Sequence, residues 1–313
     1  MKEKHVNEGV EIVIVPSALR AVYGSRDTGK VEKAVRAHLL QSKEPYHKVQ
    51  VHVKHAADGA PVALHAYMLR AYTYTADIVK MVIDAKYNVR SVDASYGGEE
   101  EGDYGDVVAP MATIPAGAIA PAVGAVAVGT IIGTVALRVD MVFGTPVPEI
   151  PTAKAAVEAA YRTAVAAGYK AVKLLGPAAN LANYKKYLGG HLKAFGNVGH
   201  GYTGGIVLAD GNLTSAWFAA LPKKTLSPEV IYFNSCQVFN PPLQPAIMLA
   251  GARTFAGGKV NLLIGPSEKV FNCLWDKVLK KPAVKMGVAL TTCEKANYPT
   301  VGAHGIGGDL GLF

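Results

Sequence analysis

The feature that most constrains the fold is the regular alternation of short apolar runs and helical segments after Arg138. Each apolar run is short and is closed by glycine, a small residue or a turn, as buried parallel strands are. This alternation predicts an α/β fold with a mostly parallel sheet flanked by helices. The predicted strands are 139–143, 171–175, 192–198, 205–210, 229–233 and 254–264, and the predicted helices are 153–167, 180–188, 213–221, 243–250 and 267–279.

Two of these strands end in residues that can carry chemistry. His200 and Gly201 follow the strand 192–198, and Cys236 follows the strand 229–233. In an open α/β sheet the active site lies at the carboxyl ends of the strands, so we expect the imidazole and the thiol at one edge. A cysteine nucleophile needs a base that can reach its proton. The sequence therefore predicts a Cys236–His200 pair.

Residues 1–106, the N-terminal part of the chain, are predicted to form a smaller α/β region of unknown role. The stretch 63–85 is predicted to be helical over much of its length. The glycine- and acid-rich residues that end this part indicate an exposed loop. The other predicted elements are strands at 11–15, 48–53 and 89–92 and a helix at 28–41.

The segment 107–137 contains no charged residue and is rich in alanine, glycine and valine. It is long enough to span a bilayer, and Gly129 and Gly133 have the spacing that packs membrane helices. Its prolines and its low leucine content argue against a spanning helix. Three interpretations stay open: a buried hairpin or apolar loop, a surface for self-assembly into a homo-oligomer, and membrane contact.

Composition restricts the partners and the compartment. The net charge is +8, but the basic residues are dispersed and form no aromatic-interleaved stripe, so a nucleic-acid partner is not expected. Three cysteines do not form a disulfide framework, and free thiols fit a reducing compartment. The first apolar run is too short for a signal peptide. A cytoplasmic location is therefore expected.

No cofactor and no metal ion are expected. His52 and His55 lack a neighbouring cysteine or carboxylate cluster, so we interpret them as polar residues of a strand or surface. The glycines near 307 lack a P-loop lysine, and no nucleotide site is predicted. Cys273 and Cys293 are assigned structural roles, because one lies on an apolar helix face and the other has no base near it in the sequence.

Four short motifs follow one another in the C-terminal part of the chain. They are Gly-His-Gly at 199–201, Phe-Asn-Ser-Cys at 233–236, the alanine-glycine-alanine step within 247–255 and the Gly-Asp motif at 308–312. In their order and spacing, these motifs resemble the caspase-like cysteine peptidases, a superfamily that includes caspases, metacaspases, legumains, gingipains and CHAT-domain proteases. The resemblance covers about residues 138–313, which we assign to a caspase-like domain.

The resemblance implies a cysteine endopeptidase that acts on a protein or peptide substrate. The Cys236 thiolate would attack the scissile carbonyl, and His200 would act as the base and then as the acid for the leaving amine. Backbone N–H groups of Gly201 and Cys236 would form the oxyanion hole. A zymogen that cuts itself fits this interpretation, although the sequence names no cleavage site.

Three further residues, Asn234, Gln237 and Asp210, are interpreted as lining the substrate pocket. Superfamily members that cleave after arginine or lysine often carry an acid two positions before the cysteine. This chain has the neutral Asn234 there, so the resemblance does not indicate a basic residue before the cleaved bond.

Other interpretations stay open. His304, in a second His-Gly pair, is the competing base. The chain could also be a catalytically inactive caspase-fold scaffold or a self-assembling structural protein that uses the segment 107–137. A third class is a membrane-active effector in which that segment inserts and the C-terminal domain regulates it.

Overall fold

The computed structural model of the protein describes residues 5–15, 25–56, 60–84, 86–95, 139–190, 192–226, 228–280 and 284–308. Within these ranges, no helix is long and apolar enough to cross a membrane. The segment 107–137 lies outside the described residues, so its three interpretations stay predictions. The proposed domain boundaries at 106 and 137 lie outside them as well.

The N-terminal region is a five-stranded sheet with a helix packed on it. Its strands lie side by side in chain order, with β1 parallel to β2 and every other neighbouring pair antiparallel. The elements are β1 (Glu11–Val15), α1 (Ser25–Leu39), β2 (Tyr46–His55), β3 (Pro61–Arg70), β4 (Ala76–Ile83) and β5 (Val89–Ser95).

Both faces of this sheet are covered. Successive residues of a strand point to opposite faces, and on β3 the residues of both faces are buried. On β3, Leu64 and Met68 belong to the apolar cluster that contains the buried side chains of α1. Tyr67 and Leu69, one position out of phase, belong to a cluster with Tyr202 of the C-terminal region. The N-terminal sheet therefore uses one face for its own core and the other for contact with the rest of the chain.

The predicted helix at 63–85 is wrong. The structure has an antiparallel hairpin there, in which β3 pairs with β2 on one side and with β4 on the other. Because neighbouring strands satisfy the backbone hydrogen bonds of β3, tertiary pairing overrides the helix-forming residues in its sequence. Residues 71–75, here called the β3–β4 turn, join the two strands and lie against the C-terminal region.

The C-terminal region contains a six-stranded sheet in the order β14-β13-β12-β8-β6-β7. Only β13 and β14 are antiparallel neighbours within it. A smaller sheet is formed by β9 (Gly201–Tyr202), β10 (Gly205–Val207) and β11 (Asn212–Thr214). The strands of the large sheet are β6 (Met141–Thr145), β7 (Ala171–Leu175), β8 (Ala194–Val198), β12 (Val230–Asn234), β13 (Thr254–Gly258) and β14 (His304–Gly308).

Helices cover both faces of the large sheet. One buried cluster joins it to α2, α6 and α7, and a second joins it to α3, α4 and α5. The helices are α2 (Pro151–Ala166), α3 (Leu181–Leu188), α4 (Ser215–Ala219), α5 (Leu243–Ala250), α6 (Pro266–Lys280) and α7 (Met286–Asn297). The predicted fold class, a mostly parallel sheet flanked by helices and preceded by a smaller α/β region, is confirmed.

Cys273 of α6 and Cys293 of α7 form a disulfide bond. The interpretation of all three cysteines as free thiols is therefore wrong, although a structural role for this pair agrees with the bond. No sequence signal identifies α7 as the helix that packs beside α6, so the two cysteines could not be paired from their spacing alone. The thiol count no longer supports a reducing compartment, and the cytoplasmic location stays a prediction.

Replacing both Cys273 and Cys293 by serine is expected to lower the free energy of unfolding by about 3 kcal/mol. The bond closes a sequence separation of 20 residues, and its loss gives the unfolded chain more freedom. Urea unfolding of the double variant and of the reduced wild type measures the effect. Equal midpoints for the oxidised wild type and the double variant would contradict the expectation.

Candidate active site

The strands β8 and β12 are parallel neighbours, and Val198 pairs with Asn234 near their carboxyl ends. The residues that follow them, His200 and Cys236, therefore lie at the same edge of the sheet. Both side chains are fully buried. The structure thus brings the predicted imidazole and thiol to one place, as the strand alternation indicated.

Gly201 lies where the two strand ends meet. A Cβ atom at this position would lie 2.8 Å from Cβ of Ser235 and from Cγ1 of Val238, and 2.9 Å from the carbonyl oxygen of Cys236. No side chain fits in this space unless the two loops move apart. Glycine at position 201 is therefore required by close packing beside Cys236.

The imidazole of His200 makes both of its hydrogen bonds with the N-terminal region. Its Nδ1 lies 3.2 Å from the carbonyl oxygen of Thr75, and its Nε2 lies 2.7 Å from Nε2 of His47. Because a carbonyl only accepts, Nδ1 of His200 carries the proton, and His47 then donates to Nε2. Burial lowers the pKa of His200 well below its usual value, and the neighbouring His47 lowers it further.

The thiol of Cys236 also contacts Thr75. Its Sγ accepts hydrogen bonds from Oγ1 of Thr75 at 3.3 Å and from the backbone N–H of Leu262 at 2.9 Å. Burial raises the pKa of this thiol to about 12, although these hydrogen bonds oppose the shift. Since the thiolate is the nucleophilic form of cysteine, this burial favours the neutral, less nucleophilic thiol. In the described part of the chain, His200 and Cys236 meet through Thr75 and share no hydrogen bond.

The β3–β4 turn lies along the residues that precede α6. The N–H of Gly201 donates to the carbonyl of Tyr74 at 2.8 Å, and the N–H of Tyr74 donates to the carbonyl of Leu262 at 3.1 Å. The N–H of Ile264 donates to the carbonyl of Tyr72 at 3.2 Å. The turn therefore pairs with residues 262–264 as an added antiparallel strand, and it occupies the predicted oxyanion donor of Gly201.

The side chain of Tyr74 fills a pocket beside the two predicted catalytic residues. It is fully buried, and its ring meets the ring of His200 edge to face at a centroid distance of 5.5 Å. Its hydroxyl donates to Oε1 of Glu268 at 2.7 Å. Glu268 is itself buried in the first turn of α6. Tyr74 also belongs to a buried cluster of apolar side chains, so its pocket is apolar apart from the His200 ring and the carboxylate at its end.

An ion pair between the partly exposed Arg70 and the buried Asp77 holds the β3–β4 turn in this shape. The guanidinium of Arg70 donates to both carboxylate oxygens of Asp77, at 2.8 and 3.1 Å, and the hydroxyl of Tyr46 donates to the same carboxylate. The backbone N–H of Arg70 donates to the carbonyl of Thr75 at 3.0 Å. Bidentate pairs of this kind fix geometry, so the turn is preorganised before it contacts the cleft.

Asn234 and the competing base His304 lie together in a buried polar network. Nε2 of His304 is 3.2 Å from Oδ1 of Asn234, and Nδ1 of His304 is 2.8 Å from a carboxylate oxygen of Glu294. Nδ2 of Asn234 donates to Oγ of Ser267 at 3.3 Å. The network ends next to Glu268, so Asn234 supports the end of the pocket without contacting Tyr74.

The other two predicted pocket residues lie in different surroundings. Gln237 follows Cys236 with a left-handed backbone, and its side chain joins Thr203 to Asn261 through hydrogen bonds of 3.0 and 2.9 Å. Asp210 accepts the N–H of Leu181 at 2.7 Å and so fixes the start of α3. Gln237 therefore connects the loop that contains Thr203 to the loop that contains Asn261. Asp210 instead contacts the start of α3 and has a structural role there.

Sequence reasoning missed the residues that close the site: His47, Tyr74, Thr75 and Glu268. Tyr74 and Thr75 lie in the stretch 63–85 that is predicted as a helix, although the β-branched and aromatic residues from 74 to 83 favour a strand. His47 lies at the start of β2, beside the predicted strand 48–53, and no sequence signal places it near His200. Glu268 was placed on a helix, but no sequence signal assigns it to the pocket. Within the described ranges, no group of three histidine, cysteine, aspartate or glutamate side chains is arranged to hold a metal ion.

Comparison with known proteins gives a distant structural likeness. No protein-family model matches the chain, and no curated protein matches it. The chain is similar to the solved structure of gingipain R (RgpB), an Arg-specific cysteine proteinase, with a TM-score of 0.47 and 15% identity over 55% of this chain and 47% of that one. A complex of the RgpB pro- and mature domains from Porphyromonas gingivalis gives a TM-score of 0.46 and 14% identity over 56% and 48%.

This chain thus spans about half the length of the solved chains it matches, with coverage of 47% and 48% of them. Identities of 14–15% do not transfer an activity or a substrate. What the site can do is therefore argued from the contacts of its own residues.

Acidification is expected to weaken the packing of the N-terminal region on the site. Burial lowers the pKa of His200 and of His47, so the folded chain keeps both neutral while the unfolded chain protonates them below about pH 6.5. The stabilisation is therefore complete above that pH. It falls below it, by up to about 1.4 kcal/mol per pH unit for each histidine.

Urea titrations at pH 7.5 and pH 5.5 measure this loss. The variant His47→Gln keeps a hydrogen-bond donor for Nε2 of His200 but removes one titrating group. It is expected to lose less stability than the wild type over the same interval. An equal loss in both proteins would show that the His47–His200 contact does not carry the pH dependence.

Proposed function

We propose that this chain is a cysteine peptidase that its own N-terminal region holds latent. The observation that carries the proposal is the position of the Tyr74–Thr75 peptide. Its carbonyl accepts the N–H of Gly201 at 2.8 Å, and the next side chain contacts Sγ of Cys236 at 3.3 Å. A peptide substrate of a cysteine peptidase needs its carbonyl oxygen on such a donor and its carbonyl carbon beside the nucleophile. The Tyr74–Thr75 peptide has the first contact and is held next to Sγ by the Thr75 hydroxyl.

Each residue then has a role. Cys236 is the nucleophile, and the N–H groups of Gly201 and of Cys236 itself receive the negative charge on the carbonyl oxygen. His200 takes the thiol proton and returns it to the leaving amine. Thr75 now contacts both Nδ1 of His200 and Sγ of Cys236, so its departure leaves these two atoms facing the same space. The substrate would be a protein or peptide bound as an extended strand along 262–264.

The same contacts explain why the turn acts as an inhibitor. Nδ1 of His200 donates to the carbonyl of Thr75 and cannot accept a proton while it does so. The thiol is buried and protonated, with its pKa raised to about 12. The bidentate contact of Arg70 with Asp77 keeps the turn from adapting to the nucleophile. Activation therefore requires the N-terminal region to move away or to be cut.

A second candidate is the non-catalytic scaffold. It is favoured by the complete engagement of His200, whose two ring nitrogens are both held by the N-terminal region. In that case the turn would be a permanent part of the fold. Self-association through the segment 107–137 belongs to this alternative, and membrane contact through that segment belongs to the third class, the membrane-active effector. Both stay predictions, because the segment lies outside the described residues.

The variant Tyr74→Asp tests the latency of the full chain. It replaces the ring by a short carboxylate that is buried beside His200 and too far from Glu268 for a hydrogen bond. This should expel the turn, because an uncompensated buried charge costs roughly 3 kcal/mol or more. We expect labelling of Cys236 by peptidyl acyloxymethyl ketones to rise by at least about a hundredfold, as measured by intact-mass spectrometry. Adding Cys236→Ala should abolish the labelling.

The matched control is Tyr72→Ala, two positions away in the same turn. Its side chain is 72% exposed, so its loss should leave the labelling rate at the wild-type level. If Tyr74→Asp is folded and iodoacetamide reaches Cys236, but no peptidyl probe reacts at any pH, the peptidase proposal fails and the scaffold becomes the better account.

The variant Asp77→Ala tests whether preorganisation of the turn maintains latency. It leaves every cleft residue in place but removes the anchor of Arg70 and Tyr46. A looser turn binds its site less well, and we expect labelling to rise about tenfold, given about 1.4 kcal/mol per decade. The control is Asp93→Ala, which removes an exposed carboxylate from β5. Equal labelling of the two variants would contradict this role.

A further inference from the structure

We infer that the cleft selects substrates with tyrosine immediately before the cleaved bond, and that Glu268 recognises the tyrosine hydroxyl. The inference rests on the proposed function, because it treats the β3–β4 turn as bound in the manner of a substrate. It adds the substrate class and a specificity residue to that function.

The register of the turn identifies the pocket. The carbonyl of Tyr74 lies on the N–H of Gly201, and the residue after it, Thr75, contacts the thiol of Cys236. The N–H of Tyr74 donates to the carbonyl of Leu262. Tyr74 therefore occupies the position of the residue before the cleaved bond, and its side chain fills the pocket for that residue.

Apart from Tyr74, the carboxylate of Glu268 accepts three hydrogen bonds, which leaves one acceptor position for the side chain that fills the pocket. Its Oε2 accepts the N–H of Gly265 at 2.6 Å and Oγ of Ser267 at 3.1 Å, and its Oε1 accepts Oγ1 of Thr152 at 2.6 Å. A carboxylate has about four acceptor positions. The hydroxyl of Tyr74 takes the one that remains, at 2.7 Å. A phenol brings a single donor at the far end of an apolar ring, which matches this vacancy.

Basic side chains match the pocket less well. A lysine ammonium brings three donors and an arginine guanidinium brings five. Only one acceptor position of Glu268 is open, so the other donors would be buried without partners. Asn234, which continues the polar network behind Ser267, is neutral and adds no second charge. Phenylalanine would fit the wall of the pocket but would leave that acceptor position unfilled.

The position of Glu268 is fixed by the start of α6. It is the third residue of this helix, and its Oε2 accepts the N–H of Gly265, the residue before the helix. This is the reciprocal contact of a capping box, in which a glutamate in the first turn reaches back to the cap residue. One oxygen is thus committed to the helix, which holds the other at the end of the pocket.

A panel of acyloxymethyl ketones that differ only in the residue before the reactive group tests the inference on the full chain carrying Tyr74→Asp. The tyrosine probe should label Cys236 about 10- to 100-fold faster than the phenylalanine probe, as expected for one hydrogen bond to a charged group. Lysine, arginine, leucine and aspartate probes should be slower than tyrosine. Adding Glu268→Gln should reduce the tyrosine-to-phenylalanine ratio by about tenfold.

The outcomes separate the inference from the function on which it rests. Fastest labelling by lysine or arginine probes, equal rates for tyrosine and phenylalanine, or a ratio unchanged by Glu268→Gln would each overturn the inference and leave the peptidase intact. Failure of every probe, with Cys236 open to iodoacetamide, would overturn both.

A second measurement does not need the Tyr74→Asp variant. In the otherwise unaltered chain, Tyr74→Phe removes only the hydroxyl that meets Glu268. It should raise the rate of Cys236 alkylation by iodoacetamide about tenfold, because the turn leaves its pocket more often. In the Glu268→Gln background the same change should have a much smaller effect. An equal effect in both backgrounds would show that Glu268 does not recognise the hydroxyl.

Discussion

The closed state of the site depends on one residue, Thr75, that contacts both predicted catalytic groups. Its carbonyl accepts Nδ1 of His200 and its hydroxyl reaches Sγ of Cys236, so neither group is available to the other. Burial favours the neutral form of both side chains. It keeps the imidazole neutral and the thiol protonated, with the pKa of Cys236 raised to about 12. The proposed latency therefore results from contact and desolvation together.

Most elements of the C-terminal region could be predicted from the sequence, because parallel strands that are buried on both faces appear there as continuous apolar runs. The strand at 171–175 and the helix at 243–250 have the predicted bounds. Placing His200 and Cys236 at one sheet edge followed from the same reasoning, since residues after parallel neighbours meet there. The antiparallel β14 was not predicted, because its glycine-rich sequence carries little strand signal.

The hairpin of β3 and β4 could not be predicted as easily, although it carries the residues that close the site. Its first strand contains alanine, leucine and methionine, which also form helices, and its stability comes from pairing with β2 and from packing on Tyr202. Such long-range contacts leave no local signal. The pocket of Glu268 depends on the same hairpin and was therefore missed with it.

A reversible cross-link between the β3–β4 turn and the cleft tests the central claim most directly. Thr73 and Leu263 form an antiparallel bridge between hydrogen bonds on either side, which brings their Cβ atoms close enough for a disulfide. In the Asp77→Ala chain carrying Thr73→Cys and Leu263→Cys, oxidation should abolish peptidyl-probe labelling of Cys236, and reduction should restore it. Labelling at the same rate in the oxidised and reduced forms would contradict the account.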